Sequence, residues 1–168
     1  MLGAELRVNS RYREINMTET TKSSASCECG ALAMDIKGAP VIQLVCHCKD
    51  CRSFSGTPYV DLAFFYPAGC SAHGQSNSTT MKGSSGSDKT YYSCASCQTA
   101  LYATVAVLNG AFAIRANLLA PFKFEPRLHI WTSEKADGVT IPAGITQSPS
   151  VPPKEILDTM LSSFWDKK

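Results

Sequence analysis

The sequence predicts a small, mainly β domain, stapled by metal and finished by one C-terminal helix. Three observations carry that expectation. Short apolar or alternating runs recur between Gly, Pro and Asn turn signals, which is the texture of an all-β domain. Seven of the eight cysteines fall into tight clusters: Cys27-Glu28-Cys29, Cys46-His47-Cys48-Lys49-Asp50-Cys51 and Cys94-Ala95-Ser96-Cys97. Thiolates spaced in this way can bind one tetrahedral zinc ion, whereas such close neighbours rarely form disulfides with each other. After Pro152-Pro153, residues Ile156, Leu157, Met160, Leu161 and Phe164 return at helical spacing, so an amphipathic helix is expected over about 153–165.

The elements follow in chain order. Residues 1–24 are polar and mixed in charge and read as a flexible N-terminal arm. The arm lacks the apolar segment of a secretory signal, and Glu5, Glu14 and Glu19 argue against an organellar transit peptide. A single zinc-binding β domain is expected over 25–168. Its candidate strands are Ala31–Lys37, Val41–Cys46, Tyr59–Phe65, Thr90–Ser93, Leu101–Leu108, Ala111–Asn117 and Leu128–Thr132. Gly38-Ala39-Pro40, Tyr66-Pro67-Ala68-Gly69 and Asn109-Gly110 lie between them, the last being a favoured hairpin dipeptide. Residues 71–89, rich in Ser, Thr and Gly, read as a flexible loop.

Composition narrows the function classes. A chain of 168 residues with 44% hydrophobic and 18% charged residues suits one globular domain with a sizeable core. A net charge of +2 without a dense Lys/Arg run argues against nucleic acid as a partner. No apolar run approaches the roughly 18 residues needed to cross a bilayer. The expected location is cytoplasmic, where thiols stay reduced and free to bind metal.

Seven sulfur ligands divide as four plus three. A four-sulfur zinc site is closed and structural, whereas three sulfurs leave one tetrahedral position for water or substrate. Two other readings compete: a disulfide scaffold, and two closed structural zincs without chemistry. Alternate side chains of an extended segment share a face, so Cys27 points with Cys29 and Cys46 with Cys48, while His47 points away. Spacing alone does not settle which pairs share a metal. The economical arrangement puts Cys27, Cys29, Cys94 and Cys97 on one zinc and leaves Cys46, Cys48 and Cys51 on a second. Cys70 stands alone in Pro67-Ala68-Gly69-Cys70; it reads as an unpaired loop residue, or as a fourth ligand that would close the second site.

Cys27-x-Cys29-Gly30, the block Cys46-His47-Cys48-x-x-Cys51-Arg52 with Gly56 following, Cys94-x-x-Cys97, and Leu128-His129-Ile130-Trp131 resemble one family in the same order. It is the glutathione-dependent formaldehyde-activating enzyme family, which includes centromere protein V, and the likeness spans about residues 25–132. The resemblance implies a zinc-stapled β-sheet domain of the formaldehyde-activating-enzyme type. It implies that the first and last cysteine pairs hold a structural zinc and the central trio a catalytic one. It also implies carbon-sulfur lyase chemistry, with glutathione and an aldehyde as reactants giving S-(hydroxymethyl)glutathione. Family members usually carry Gly before the first Cys-x-Cys and directly after Cys-x-x-Cys, where this chain has Ala25 and Gln98. A left-handed Gln98 would cost about 1–2 kcal/mol, which a metal-stapled domain tolerates.

The expected chemistry is the making or breaking of a carbon-sulfur bond. Three thiolates make zinc a softened Lewis acid, suited to holding a further thiolate. Glutathione sulfur could take the open position and attack an aldehyde, or a larger electrophile such as a quinone or enone. A glutathione-independent addition, elimination or isomerisation in secondary metabolism is the second reading, and a non-catalytic zinc interaction module the third. Two residues have candidate supporting roles: His47 in substrate hydrogen bonding or proton transfer, and Arg52 in pairing a substrate carboxylate. A backbone-satisfied His47 and a solvated Arg52 are the plainer readings. His73 and His129 receive no catalytic task, and Tyr59, Phe64, Phe65, Tyr91, Tyr92 and Phe112 read as core.

Overall fold

The computed structural model describes residues 21–165. The arm expected over 1–24 lies outside the described residues as far as residue 20. Its last three residues are not an arm: they open strand β1 (Lys22–Ser26). There Ser23 and Ala25 turn inward and their neighbours outward, an alternation of small side chains without the large apolar residues that usually mark a strand.

The chain continues through β2 (Ala33–Lys37), β3 (Ile42–Cys46), helix α1 (Lys49–Ser55) and β4 (Val60–Phe65). Then come β5 (Cys70–His73), β6 (Ser76–Lys82), β7 (Asp88–Cys94), β8 (Ala100–Val105) and β9 (Ala111–Arg115). Short strands β10 (Leu119–Ala120), β11 (Leu128–Ile130) and β12 (Thr146–Gln147) precede helix α2 (Lys154–Trp165). Four strands form one sheet in the order β10-β1-β2-β5, and eight form the other in the order β12-β11-β3-β4-β9-β8-β7-β6. The fold is therefore mainly β with a C-terminal helix, as the alternation predicts.

Strand β4 shows how one sequence feeds two cores. Leu62 and Phe64 face one side of the large sheet, while Ala63 and Phe65 face the other. The second side packs against Ala25, Met34 and Ile36 of the small sheet. The first side joins Leu44, Val105, Ala113 and Leu128 and is covered by Met160 and Phe164 of α2. Helix α2 is also pinned at its end, where Asn109 Nδ2 donates to the Phe164 carbonyl (3.2 Å) and Trp165 Nε1 to the Val107 carbonyl (3.0 Å). None of the helices among the described residues is long and apolar enough to cross a membrane.

Two expectations are corrected. The segment 71–89 is not a loop but β5, β6 and the start of β7, with only a short hairpin tip at 83–87. All seven residues of β6 are exposed, because it is the edge strand of the large sheet. Its pairing runs through the backbone, which Ser and Thr serve without an apolar face, and Thr80 and Thr90 add a hydroxyl contact across it at 2.8 Å. The second correction is α1, where the sequence suggested only metal ligands. Gly56 ends it with φ 69° and an N–H bond to the Arg52 carbonyl at 2.9 Å. The Asn109-Gly110 turn behaves as expected, with φ of 53° and 74° joining β8 to β9.

Candidate metal centres and the cavity beside them

Two turns from different sheets meet at the first cysteine cluster. Cys27 and Cys29 occupy the β1–β2 turn, Cys94 ends β7 and Cys97 lies in the β7–β8 turn; their four sulfurs lie within 4.8 Å of one another. Cys27 Sγ stands 3.6 Å from Cys29 Sγ, which stands 3.7 Å from Cys94 Sγ. These spacings match the edge of about 3.8 Å expected for a tetrahedron with Zn–S bonds of ~2.3 Å, and are far from a disulfide bond. All eight cysteines are free thiols. Backbone N–H groups of Leu32 and Ser96 donate to Cys27 Sγ (3.2 Å) and Cys94 Sγ (3.4 Å), the local dipoles that stabilise charge on sulfur. The Thr99 hydroxyl, 3.1 Å from Cys97 Sγ, and the Thr99 backbone N–H hold Cys97 down to a pKa of about 5. Cys27 is also held below the ordinary thiol range: burial opposes its ionisation, but hydrogen bonds from Leu32 and the neighbouring thiols prevail.

Gln98 adopts φ 61° just after Cys97, the left-handed conformation that favours Gly. Its side chain returns one exposed bond to the Ala95 carbonyl at 3.1 Å. Gln98→Gly is expected to stabilise the domain by about 0.5–1 kcal/mol, since relief of the left-handed strain outweighs the added chain entropy. Thermal melting of the two proteins would show the gain; an equal or lower midpoint would count against strain at this position.

The second cluster sits where β3 runs into α1. Cys46 ends β3, Cys48 is the N-cap of α1 with φ −64° and ψ 150°, and Cys51 lies in the first turn of the helix. Cys48 Sγ accepts the Cys51 N–H at 3.4 Å, so a thiol takes the capping role usually held by Ser or Asp. Cys46 Sγ stands 3.4 Å from Cys48 Sγ, and the three sulfurs lie within 4.8 Å of one another. Three buried thiols this close cannot all ionise unaided. Hydrogen bonds from Cys46 and then Cys51 push Cys48 down to about 2, while Cys48 pushes Cys46 well above the ordinary range. A cation among the sulfurs removes that conflict, so this donor set fits a metal ion.

Neighbouring strands hold the trio in place. The His47 N–H donates to the Ile130 carbonyl at 3.0 Å. Its side chain points away from the sulfurs, as alternation requires, and meets His129 with Nε2 and Nδ1 2.9 Å apart. His47 is fully buried, and that burial, followed by the nearby charge of His129, Lys135 and Arg52, brings its pKa down to about 4. A neutral histidine pair thus fastens the turn between β3 and α1 to β11. On the other side, Asp50 accepts from both the backbone N–H and the hydroxyl of Ser84 at 3.2 and 3.3 Å, drawing the β6–β7 hairpin tip over α1.

A cavity of about 270 Å³ opens beside Cys46 and Cys51. Its wall is built mainly by apolar side chains, among them Phe54, Leu62, Val105, Trp131, Leu157 and Met160. Sequence reasoning missed three residues of this site. Tyr91, read as core, is buried with its hydroxyl 3.7 Å from Cys51 Sγ. Lys89 lines the cavity, and its charge favours the thiolate forms of Cys48 and Cys51. Trp131 stands at φ 57° and ψ 38° on the wall, held by its N–H bond to the Ser150 carbonyl at 2.9 Å; such strain in a bulky residue is characteristic of ligand sites. Only Trp131 carried a signal, through its place in the Leu128–Trp131 run. His47 and Arg52 do not line the cavity, and Arg52 Nε is buried without a hydrogen-bond partner. Cys70 joins neither cluster; it packs between the sheets, where burial pushes its thiol up to about 11.

Two sheets joined at a four-cysteine cluster, with a three-cysteine cluster opening on an apolar cavity, define a class: thiol-rich β domains whose clusters are each suited to a metal ion. The chain belongs to the glutathione-dependent formaldehyde-activating enzyme family, whose model matches residues 22–134. A Rhodobacter sphaeroides protein of known crystal structure aligns at 14% identity over 74% of this chain and 98% of its own, with a TM-score of 0.46. No curated protein matches the chain.

Proposed function

We propose that the protein is a zinc-dependent carbon-sulfur lyase or thiol-adduct enzyme, with a structural zinc on Cys27, Cys29, Cys94 and Cys97 and a catalytic zinc on Cys46, Cys48 and Cys51. The observation that carries this reading is the unequal setting of the two clusters. Cys46 and Cys51 line the cavity, whereas none of the four cysteines of the other cluster does. Three sulfurs leave one ligand position free beside a space that can hold a substrate. A zinc ion there would supply charge that keeps a thiol ionised near neutral pH.

The chain's own residues supply the surroundings. Phe54, Trp131 and the α2 side chains keep water from the reacting centre, which strengthens every electrostatic contact inside it. A thiolate in the cavity, glutathione being the family's thiol, donates an electron pair to a carbonyl carbon and the C–S bond forms. The carbonyl π pair moves to oxygen, which takes the proton the thiol gave up. In the reverse direction the hydroxyl proton leaves, the carbonyl re-forms and the C–S bond breaks. Lys89 is placed to offset the negative charge that builds on oxygen, and Tyr91 to hold Cys51 in orientation. His47 fixes the cysteine turn from behind, through its backbone bond to Ile130 and its ring contact with His129.

Zinc stoichiometry with X-ray absorption at the zinc edge, before and after glutathione is added, tests this reading. About two zincs per chain are expected, one of them changing from three sulfurs plus a light atom to four sulfurs. Two unresponsive four-sulfur sites would overturn the catalytic assignment in favour of an interaction module. An open site indifferent to glutathione would exclude glutathione as the thiol.

A further inference from the structure

We infer that the electrophile this site takes is an apolar, ring-sized carbonyl compound and not formaldehyde itself. The inference rests on the proposed carbon-sulfur chemistry for the carbonyl group and on the cavity wall for everything else. Formaldehyde, a bare carbonyl group, would leave most of the 270 Å³ without contact. Small-molecule sites are shaped to cover most of a ligand's surface, and this volume is close to the lower end of that class.

The chemistry of the wall points the same way. Leu44, Phe54, Leu62, Val105, Leu157 and Met160 present carbon from both faces of the space. Its charged groups are Lys89 and Arg115, and Arg115 already gives Nη1 to the Ala100 carbonyl at 3.1 Å. No Asp or Glu lines it, so an electrophile carrying an ammonium group would find no carboxylate partner in its depth. A flat or aliphatic ring system with one oxygen directed towards Lys89 and the cysteines matches this mainly apolar wall. Ala103 and Ala113 on adjacent strands keep the floor low enough for such a ring. Trp131, held in its strained conformation at the wall, offers an aromatic surface to it.

The test is titration of the zinc-loaded protein with 2-naphthaldehyde by isothermal calorimetry, beside formaldehyde and beside two variants that narrow the cavity. Ala113→Leu fills the floor. Val107→Trp obstructs the rim from a position that is 42% exposed, so the core is untouched if Ala113→Leu folds poorly. Saturable one-to-one binding of 2-naphthaldehyde is expected, weakened about tenfold or more by Val107→Trp with zinc content unchanged. Absence of saturable binding, or binding equally tight in both variants, would overturn the inference. Its failure is separable from that of the proposed reaction. Turnover of glutathione with formaldehyde but no binding of 2-naphthaldehyde would sink the substrate class alone. Binding that responds to Val107→Trp, without adduct formation with any thiol, would uphold the ligand class and sink the lyase reading.

Discussion

Cys94→Ser and Cys97→Ser are each expected to remove one zinc of two and to unfold much of the domain. The reason lies in what the four-cysteine cluster joins. Cys27 and Cys29 follow β1 in the small sheet, Cys94 ends β7 in the large one with Cys97 just beyond it, and Cys94 is itself fully buried in the core between the sheets. Structural zinc contributes about 10–16 kcal/mol to small zinc-dependent folds, against a net stability of ~5–15 kcal/mol for a typical domain. Losing even a third of that metal contribution would lower the melting midpoint by about 10 °C or more at this chain length. Serine keeps the shape but not the soft, ionised ligand, so the metal is lost while packing changes little. Metal analysis and thermal melting of each variant decide the matter. Full zinc content with unchanged melting would show that these cysteines are not a structural site.

How far the sequence disclosed this arrangement depends on where each signal resides. The cysteine clusters are local: spacings of one and two residues fix which sulfurs face together, and strand alternation sends His47 to the opposite side. Strands with a buried face, such as β4 and β9, were legible for the same reason. Strand β6 was not, because an edge strand with every side chain exposed offers no apolar period, and β1 hid its alternation among Ser and Ala. The seven residues of α1 are too few to show a helical period, and their cap is a cysteine that the pattern assigned to metal alone.

The cavity belongs to a different order of information. Tyr91 reaches Cys51 because β7 pairs with β8 in the register Tyr91 to Ala103, and that register breaks between Tyr92 and Ser93, where Leu101 is left over as a bulge. Lys89 shares the face of Tyr91 two residues earlier. Asp50 then ties the hairpin tip to α1 across more than thirty residues of chain. No residue type or spacing in β7 announces these contacts, since long-range pairing creates them. The sequence could name the three-cysteine cluster but not the walls of the cavity beside it.

Those walls and that cluster come apart in the second large effect, expected of Cys48→Ser. Cys48 is the thiol most readily ionised in the trio, at a pKa of about 2, and is hydrogen-bonded by both Cys46 and the Cys51 N–H. Replacing it should leave two sulfurs, too few to retain zinc, and turnover should fall by about a thousandfold or more, equivalent to ~4 kcal/mol of transition-state stabilisation. The fold should survive. Serine is among the preferred N-cap residues, so its hydroxyl can accept the Cys51 N–H and α1 keeps its start. Cys48 is buried in the core under α2, but serine nearly keeps its size and the four-cysteine staple lies elsewhere, so the melting midpoint is expected to fall by only about 5 °C. This pairing of a near-total kinetic loss with a small structural one separates the catalytic reading from a purely structural one. A second closed structural zinc at this position would cost stability on the scale of Cys94→Ser. Turnover at the normal rate after loss of the second zinc would show that the trio does not carry the reaction.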